Sequence, residues 1–165
     1  MPQIGSMTIA KLTNILAADD GMPATLAAMS SQEGVELPGL SAEQIVPQNV
    51  GHELWSRGST TKYPLVYVYC TKIVNQLKEK FRTFSGEAQM AVEVRVSQDR
   101  LDDIESRLHS YVDAVVQVLD ASRGDWGDGV FYDGEYEVAF SGVKQGGNNF
   151  IQSAKVSIVL GVSRD

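Results

Sequence analysis

The sequence has one cysteine, Cys70, two histidines, His52 and His109, and no apolar run long enough to cross a bilayer. A single thiol forms no intramolecular disulfide, so a disulfide framework is excluded and a reducing compartment is expected. Cys70 lies in an apolar, strand-like run and reads as a buried, inert thiol. One cysteine and two distant histidines build no zinc site without several carboxylates, and no ligand spacing points to one. Basic residues are also scarce: 14 Lys and Arg stand against 21 Asp and Glu, a net charge of -7, which opposes any function based on gripping a phosphate backbone. The opening stretch MPQIGSMTIAKLTN has no basic start, no long apolar core and no small-residue cleavage site, so synthesis and residence in the cytoplasm, away from membranes, are expected.

What is present suffices for one domain. The chain has 165 residues, 43% of them hydrophobic, enough to bury a core without metal or disulfide staples. Residues 1–62 read as a helical and irregular N-terminal arm and residues 63–165 as a regular α+β core, one domain overall. Ile9, Leu12, Ile15 and Leu16 recur at helical spacing with Ser6 as the expected N-cap, and Asp19-Asp20-Gly21 stops that helix. Pro23 suits the first turn of a second helix, which Gly34 ends. From Val35 to Thr61, Pro38, Gly39, Pro47, Gly51 and Gly58 predict irregular chain with at most a short helical turn.

Leu65 to Val74 is rich in β-branched and aromatic residues and reads as a strand. From Ala88 to Val96 the alternation is clean, with Ala88, Met90, Val92, Val94 and Val96 on one face and Gln89, Glu93 and Arg95 facing water. The charged segment between them, Asn75 to Glu87, fits either a hairpin arm or a helical turn. The strongest helix signal runs from Asp99 to Ala121, with Leu101, Ile104, Leu108, Tyr111, Val112, Val115 and Leu119 on one face and Ser97 or Asp99 as the cap. Two more alternating strands follow, one with Tyr136, Val138 and Phe140, the other with Ala154, Val156, Ile158, Leu160 and Val162, joined by the loop Lys144 to Asn149. The predicted architecture is therefore an α+β fold: an antiparallel sheet of about four strands, in the order strand, strand, helix, strand, strand, packed by one long helix.

No catalytic constellation emerges. There is no G-x-S-x-G elbow, and His109, between Leu108 and Val112, reads as a helix residue rather than a general base. Asp125 to Glu135 lacks two ligands of a calcium loop when Gly129 is set at the loop glycine, because Gly124 and Trp126 then occupy the first and third positions. The same glycines follow a helix and open a strand, the reverse of a phosphate cradle. Asp19-Asp20 and Asp102-Asp103 punctuate helices. Tyr67 and Tyr69 share one strand face and read as sheet packing. No catalytic, cofactor-binding or metal residue is expected, and the chain is not expected to be an enzyme.

The run YPLVYVYCTKIVNQLKEKFRTFSGEAQMAVEVRVSQDRLDDIESRLHSYVDAVVQVLDA, with the terminal pair EYEVAFSGVKQGGNNFIQSAKVSIVLGVSRD, resembles the tail terminator proteins of long-tailed bacteriophages, small neck components with this element order. The resemblance covers roughly Tyr63 to Asp165. It implies a virion protein that forms a hexameric ring, caps the tail-tube protein at full length and joins it to the head–tail connector, while the genome passes through without specific binding. The acidic balance fits a wall along which DNA slides. Lys78, Lys80, Arg82 and Phe84 in one loop, and Lys144, Gln145, Asn148 and Asn149 in the other, are the expected contacts with neighbouring subunits or rings. A head-completion or tail-tube protein would share the structural role, and a small-ligand-binding α+β domain is the alternative of a different kind.

Overall fold

The computed structural model describes residues 3–34, 37–50 and 63–165. Helix α1 (Ile4–Ala17) and helix α2 (Met22–Glu33) are followed by one 3-10 turn (Ala42–Gln44), strand β1 (Ile45–Val46), β2 (Leu65–Asn75), β3 (Phe84–Gln98), helix α3 (Ile104–Ala121), β4 (Gly124–Gly127), β5 (Val130–Phe140), β6 (Lys144–Gly146) and β7 (Asn149–Arg164). The sheet is ordered β1-β2-β3-β7-β5-β4, with β6 also on β7.

This corrects the predicted architecture. The sheet has seven strands rather than four, it is curled, and it is mixed, because β1 runs parallel to β2. Nor does one helix cover it alone: Leu12 and Leu16 of α1 and Met22 and Leu26 of α2 are buried in the same apolar core as α3 and the sheet. The missed strands have two to four residues, too few to show a period of two. Of the residues expected in the irregular arm, Val35, Gly51, His52, Leu54, Trp55 and Gly58 lie outside the described residues.

The central strands explain the core. Register places Val68, Val92, Val156 and Val138 side by side across β2, β3, β7 and β5, and the next row is Cys70, Met90, Ile158 and Tyr136. Side chains that alternate along each strand thus form one apolar face. Against it α3 lays Ile104, Leu108, Tyr111, Val115 and Leu119, all buried. Burying a side chain of this kind contributes about 1.5–3 kcal/mol.

Several local expectations change for physical reasons. Ser6 sits inside α1, whose N-cap is Gln3, so it caps nothing. Helix α3 starts at Ile104 behind Asp103 (φ 65°), not at Ser97 or Asp99, because residues 99–103 are spent turning the chain off β3. Leu101 is therefore 58% exposed rather than on the apolar helix face. The outward face of β3 is also less wet than its alternation suggests: Glu93 and Arg95 are 9% and 2% exposed. Cys70 is half-buried, and burial raises its thiol pKa. Pro23 and Gly34 stand where expected, in the first turn of α2 and as its left-handed C-cap.

Three buried tyrosines use their hydroxyls inside the fold. Tyr111 donates to the Pro38 carbonyl at 2.9 Å, Tyr132 to the Glu135 carbonyl at 3.3 Å, and Tyr69 to Glu93 Oε1 at 3.4 Å. Burial pushes all three phenols up to about 12, and at Tyr69 the Glu93 carboxylate adds to the rise. In the unfolded chain they ionise near 10. A raised folded-state pKa means stability that is intact below pH 10 and lost as the pH climbs towards 12. Urea midpoints should hold steady up to pH 10 and then fall. Absorbance near 295 nm should show these phenols ionising together with unfolding; ionisation in the native state at pH 10 would contradict their burial.

Candidate functional site

Among the described residues, strand edges with no strand beside them lie at the two margins of the sheet. On one side β1 pairs only with Val66 and Tyr67 of β2. Beyond that point the same side of β2, from Val68 to Asn75, has no strand beside it among the described residues. Thr71, Lys72, Ile73 and Asn75 are exposed there. On the other side β4 pairs with β5 only from Val130 to Tyr132. From Asp133 to Phe140 that side of β5 is also open among the described residues, and Asp133, Glu135, Tyr136, Glu137, Ala139 and Phe140 are exposed.

The two margins are unlike in chemistry. Along β5 an acid stands at every second position, Asp133, Glu135 and Glu137, while Tyr136 and Phe140 share the helix-covered face with Ile158 and Ala154 and remain 45% and 43% exposed. His109 of α3 stacks on Phe140 with ring centroids 4.4 Å apart. Along β2, Lys72 is exposed beside Gln89 on the outward face, and Ile73, 45% exposed, sits with Ala88 on the helix-covered face. Both margins therefore combine an apolar side chain on one face with charge on the other, and the charges are opposite. Their directions also match. Three successive antiparallel pairings, β2 with β3, β3 with β7 and β7 with β5, leave β5 antiparallel to β2, so β5 of one copy beside β2 of the next continues an antiparallel sheet.

The loops expected to make contacts are at opposite ends of this sheet. Phe84 pairs with Arg164 and Gln98 with Phe150, so the β2–β3 loop and the β6–β7 loop are separated by the full length of β3, roughly 50 Å at 3.4 Å per residue. Lys78, Lys80 and Arg82 are exposed on the first loop. Phe84, however, is 6% exposed and belongs to the core, at the root of the loop rather than on its surface. Lys144, Gln145, Asn148 and Asn149 are exposed around the second loop, which is a hairpin between β6 and β7.

An open sheet of the predicted kind leaves its outer strands unpaired, as the sequence already implies, but which residues form those margins went unread, although the acids at 133, 135 and 137 recur at every second position. The segment tested as a calcium loop is the β4–β5 hairpin. Its three aspartates are engaged: Asp125 accepts from the Gly127 amide at 2.8 Å, Asp133 from the Glu135 amide at 3.0 Å, and Asp128 pairs with Lys11 of α1 at 2.9 Å. That Lys11 hydrogen bond holds the Asp128 carboxyl below its ordinary pKa and pins α1 to the hairpin. Among the described residues no group of three or more His, Cys, Asp or Glu is placed to hold a metal ion. Tyr67 lies under the Arg95 guanidinium, 4.2 Å from its ring centroid.

Compared with known protein families and with curated proteins, the sequence matches none.

Proposed function

We propose that this chain is a structural subunit of a long-tailed bacteriophage neck, a tail terminator that assembles into a hexameric ring through its two open sheet margins. The observation that supports the reading is the geometry just described: two margins that no strand pairs among the described residues, antiparallel to each other and opposite in charge. A soluble protein that leaves such edges bare invites another strand. Because the margins differ, each copy offers one to the neighbour on its left and the other to the neighbour on its right, a heterologous contact that closes into a ring when the rotation fits. Two loops at opposite ends of the strands give the ring two distinct faces, one for the tail tube and one for the connector.

The test reverses the charge on one margin. Glu135→Lys combined with Glu137→Lys should leave the circular dichroism spectrum unchanged and abolish the ring that the native chain forms with tail tubes, as seen by native mass spectrometry. Particles made without this protein should carry overlong tails. Tails of normal length in those particles would sink termination, and rings of normal mass from the doubly reversed variant would sink the edge-pairing mechanism.

A further inference from the structure

The two margins that no strand pairs among the described residues are equal in length: residues 68–75 of β2 and residues 133–140 of β5. A short strand closes off each of them at one end. On β2, β1 occupies the edge at Val66 and Tyr67, immediately before the open stretch. On β5, β4 occupies the edge from Val130 to Tyr132, again immediately before it. Both short strands therefore stand at the N-terminal ends of the open stretches. When the two stretches are laid together antiparallel, those ends fall at opposite ends of the joint, so β1 and β4 bracket it.

Side chains narrow the fit further. Lys72 is the only charged residue of β2, and the charged residues of β5 are Asp133, Glu135 and Glu137. Among the described residues Lys72, Glu135 and Glu137 make no ion pair. On the helix-covered face, Ile73 and Tyr136 are each 45% exposed. With Ile73 set against Tyr136, Lys72 falls opposite Glu137 and Val74 opposite Glu135. The irregularity of β2 between Cys70 and Lys72 leaves Thr71 as an extra residue, so Cys70 then meets Val138 and Val68 meets Phe140. At this setting the open stretches overlap along their whole length and stop short of both β1 and β4. Other settings fail for separate reasons. A slip of one residue turns Ile73 and Tyr136 to opposite faces. A slip of two in one direction carries Phe140 onto Val66, where β1 already lies, and brings Tyr132, which β4 covers, onto Asn75. A slip of two in the other direction sets Ala139 against Lys72 and leaves the cation with no acid directly opposite.

We infer that β1 and β4 are stops that fix a single register between β5 of one copy and β2 of the next, in which Tyr136 packs on Ile73 and Glu137 pairs with Lys72. This deepens the ring reading and rests on it for the identity of the partner. The two short strands thereby gain a role in specificity: each blocks the slip that would still offer Lys72 an acid, Glu135, while setting Ile73 against Gly134. Side-chain period alone leaves two-residue slips open, and only an occupied edge closes them.

The test uses the native Cys70 thiol as one half of a disulfide between copies. The full chain carrying Val138→Cys is assembled on tail tubes and exposed to oxidised glutathione, which takes up the two electrons and two protons released as the S–S bond forms. Directly opposed residues of antiparallel strands lie about 4.5–5.5 Å apart between Cα atoms, within disulfide reach. V138C should give a ladder of linked copies, and Tyr136→Cys and Phe140→Cys, each two residues off, should give none. A second set of variants changes only exposed side chains. Lys72→Glu and Glu137→Lys should each weaken self-association about tenfold and together restore it, while Glu135→Lys, opposite Val74, should leave it within about threefold. Links at position 136 or 140 in place of 138, no link at any of the three, or a charge swap that fails to restore association would overturn the register; closed rings of native mass under those results would leave the ring reading intact. Links at position 138 in open chains that never close on tail tubes would do the opposite, keeping the register and removing the ring.

Discussion

Replacing Arg95 with methionine should lower the unfolding free energy by about 3–5 kcal/mol, the cost of leaving a buried carboxylate without its cation. Arg95 is 2% exposed and Glu93 9%, on the outward face of the central strand β3. Arg95 Nε donates to Glu93 Oε2 at 2.7 Å, a second guanidinium nitrogen pairs with the same carboxylate, and the guanidinium also donates to the Val50 carbonyl. The pair thereby ties chain that precedes β2 to the sheet. Removing the cation strands Glu93, to which Tyr69 also donates. Removing both charges is a different matter, since an apolar pair of similar volume avoids the desolvation altogether. Arg95→Met with Glu93→Leu should therefore be markedly more stable than Arg95→Met alone. Urea unfolding of the native chain, both single variants and the double variant gives the coupling energy, and equal losses in R95M and the double variant would show that the ion pair is not the source.

Gly86→Ala should cost about 3 kcal/mol, visible as a fall in Tm of roughly 6–12 °C for a chain of this size. A Cβ at Gly86 would come 1.9 Å from the Val74 carbonyl oxygen and 2.9 Å from the Gln76 nitrogen. These are backbone atoms of β2 and of the residue that follows it, so relief requires prising β2 from β3 where Asn75 faces Gly86. The same displacement would disturb the Asn75 and Ser85 hydrogen bonds that shape the 76–83 loop. Gly161→Ala is the contrast. It lies at a similar level of β7, and its nearest approach would be 3.8 Å, so a loss under about 1 kcal/mol is expected. Similar losses in both variants would mean that β propensity, and not the close approach, decides the result.

Legibility in the sequence followed the length of the pattern. Strands β2, β3 and β7 have 11 to 16 residues, and α3 has 18, long enough for their periods to stand out. Boundaries were less visible where the chain turns without a side-chain cap, as at Asp103, where the apolar Leu101 looked like part of the helix. Chemistry was misread where burial comes from elsewhere in the chain. Glu93 and Arg95 alternate like solvent-facing residues, yet each neutralises the other and Arg95 also donates to a carbonyl from a distant segment. Phe84 was grouped with the charged residues before it, although it is the first residue of a core strand.

Amphipathic period and composition were enough to establish a helix and long alternating strands around an apolar core, because those signals depend on neighbours three, four or two positions away. The number of strands, the parallel partner of β2, and which margins stay bare depend on residues tens of positions apart. A two-residue strand becomes a strand only when its partner is in place, and an edge is open only if nothing else in the chain reaches it, so these properties arise in tertiary structure alone.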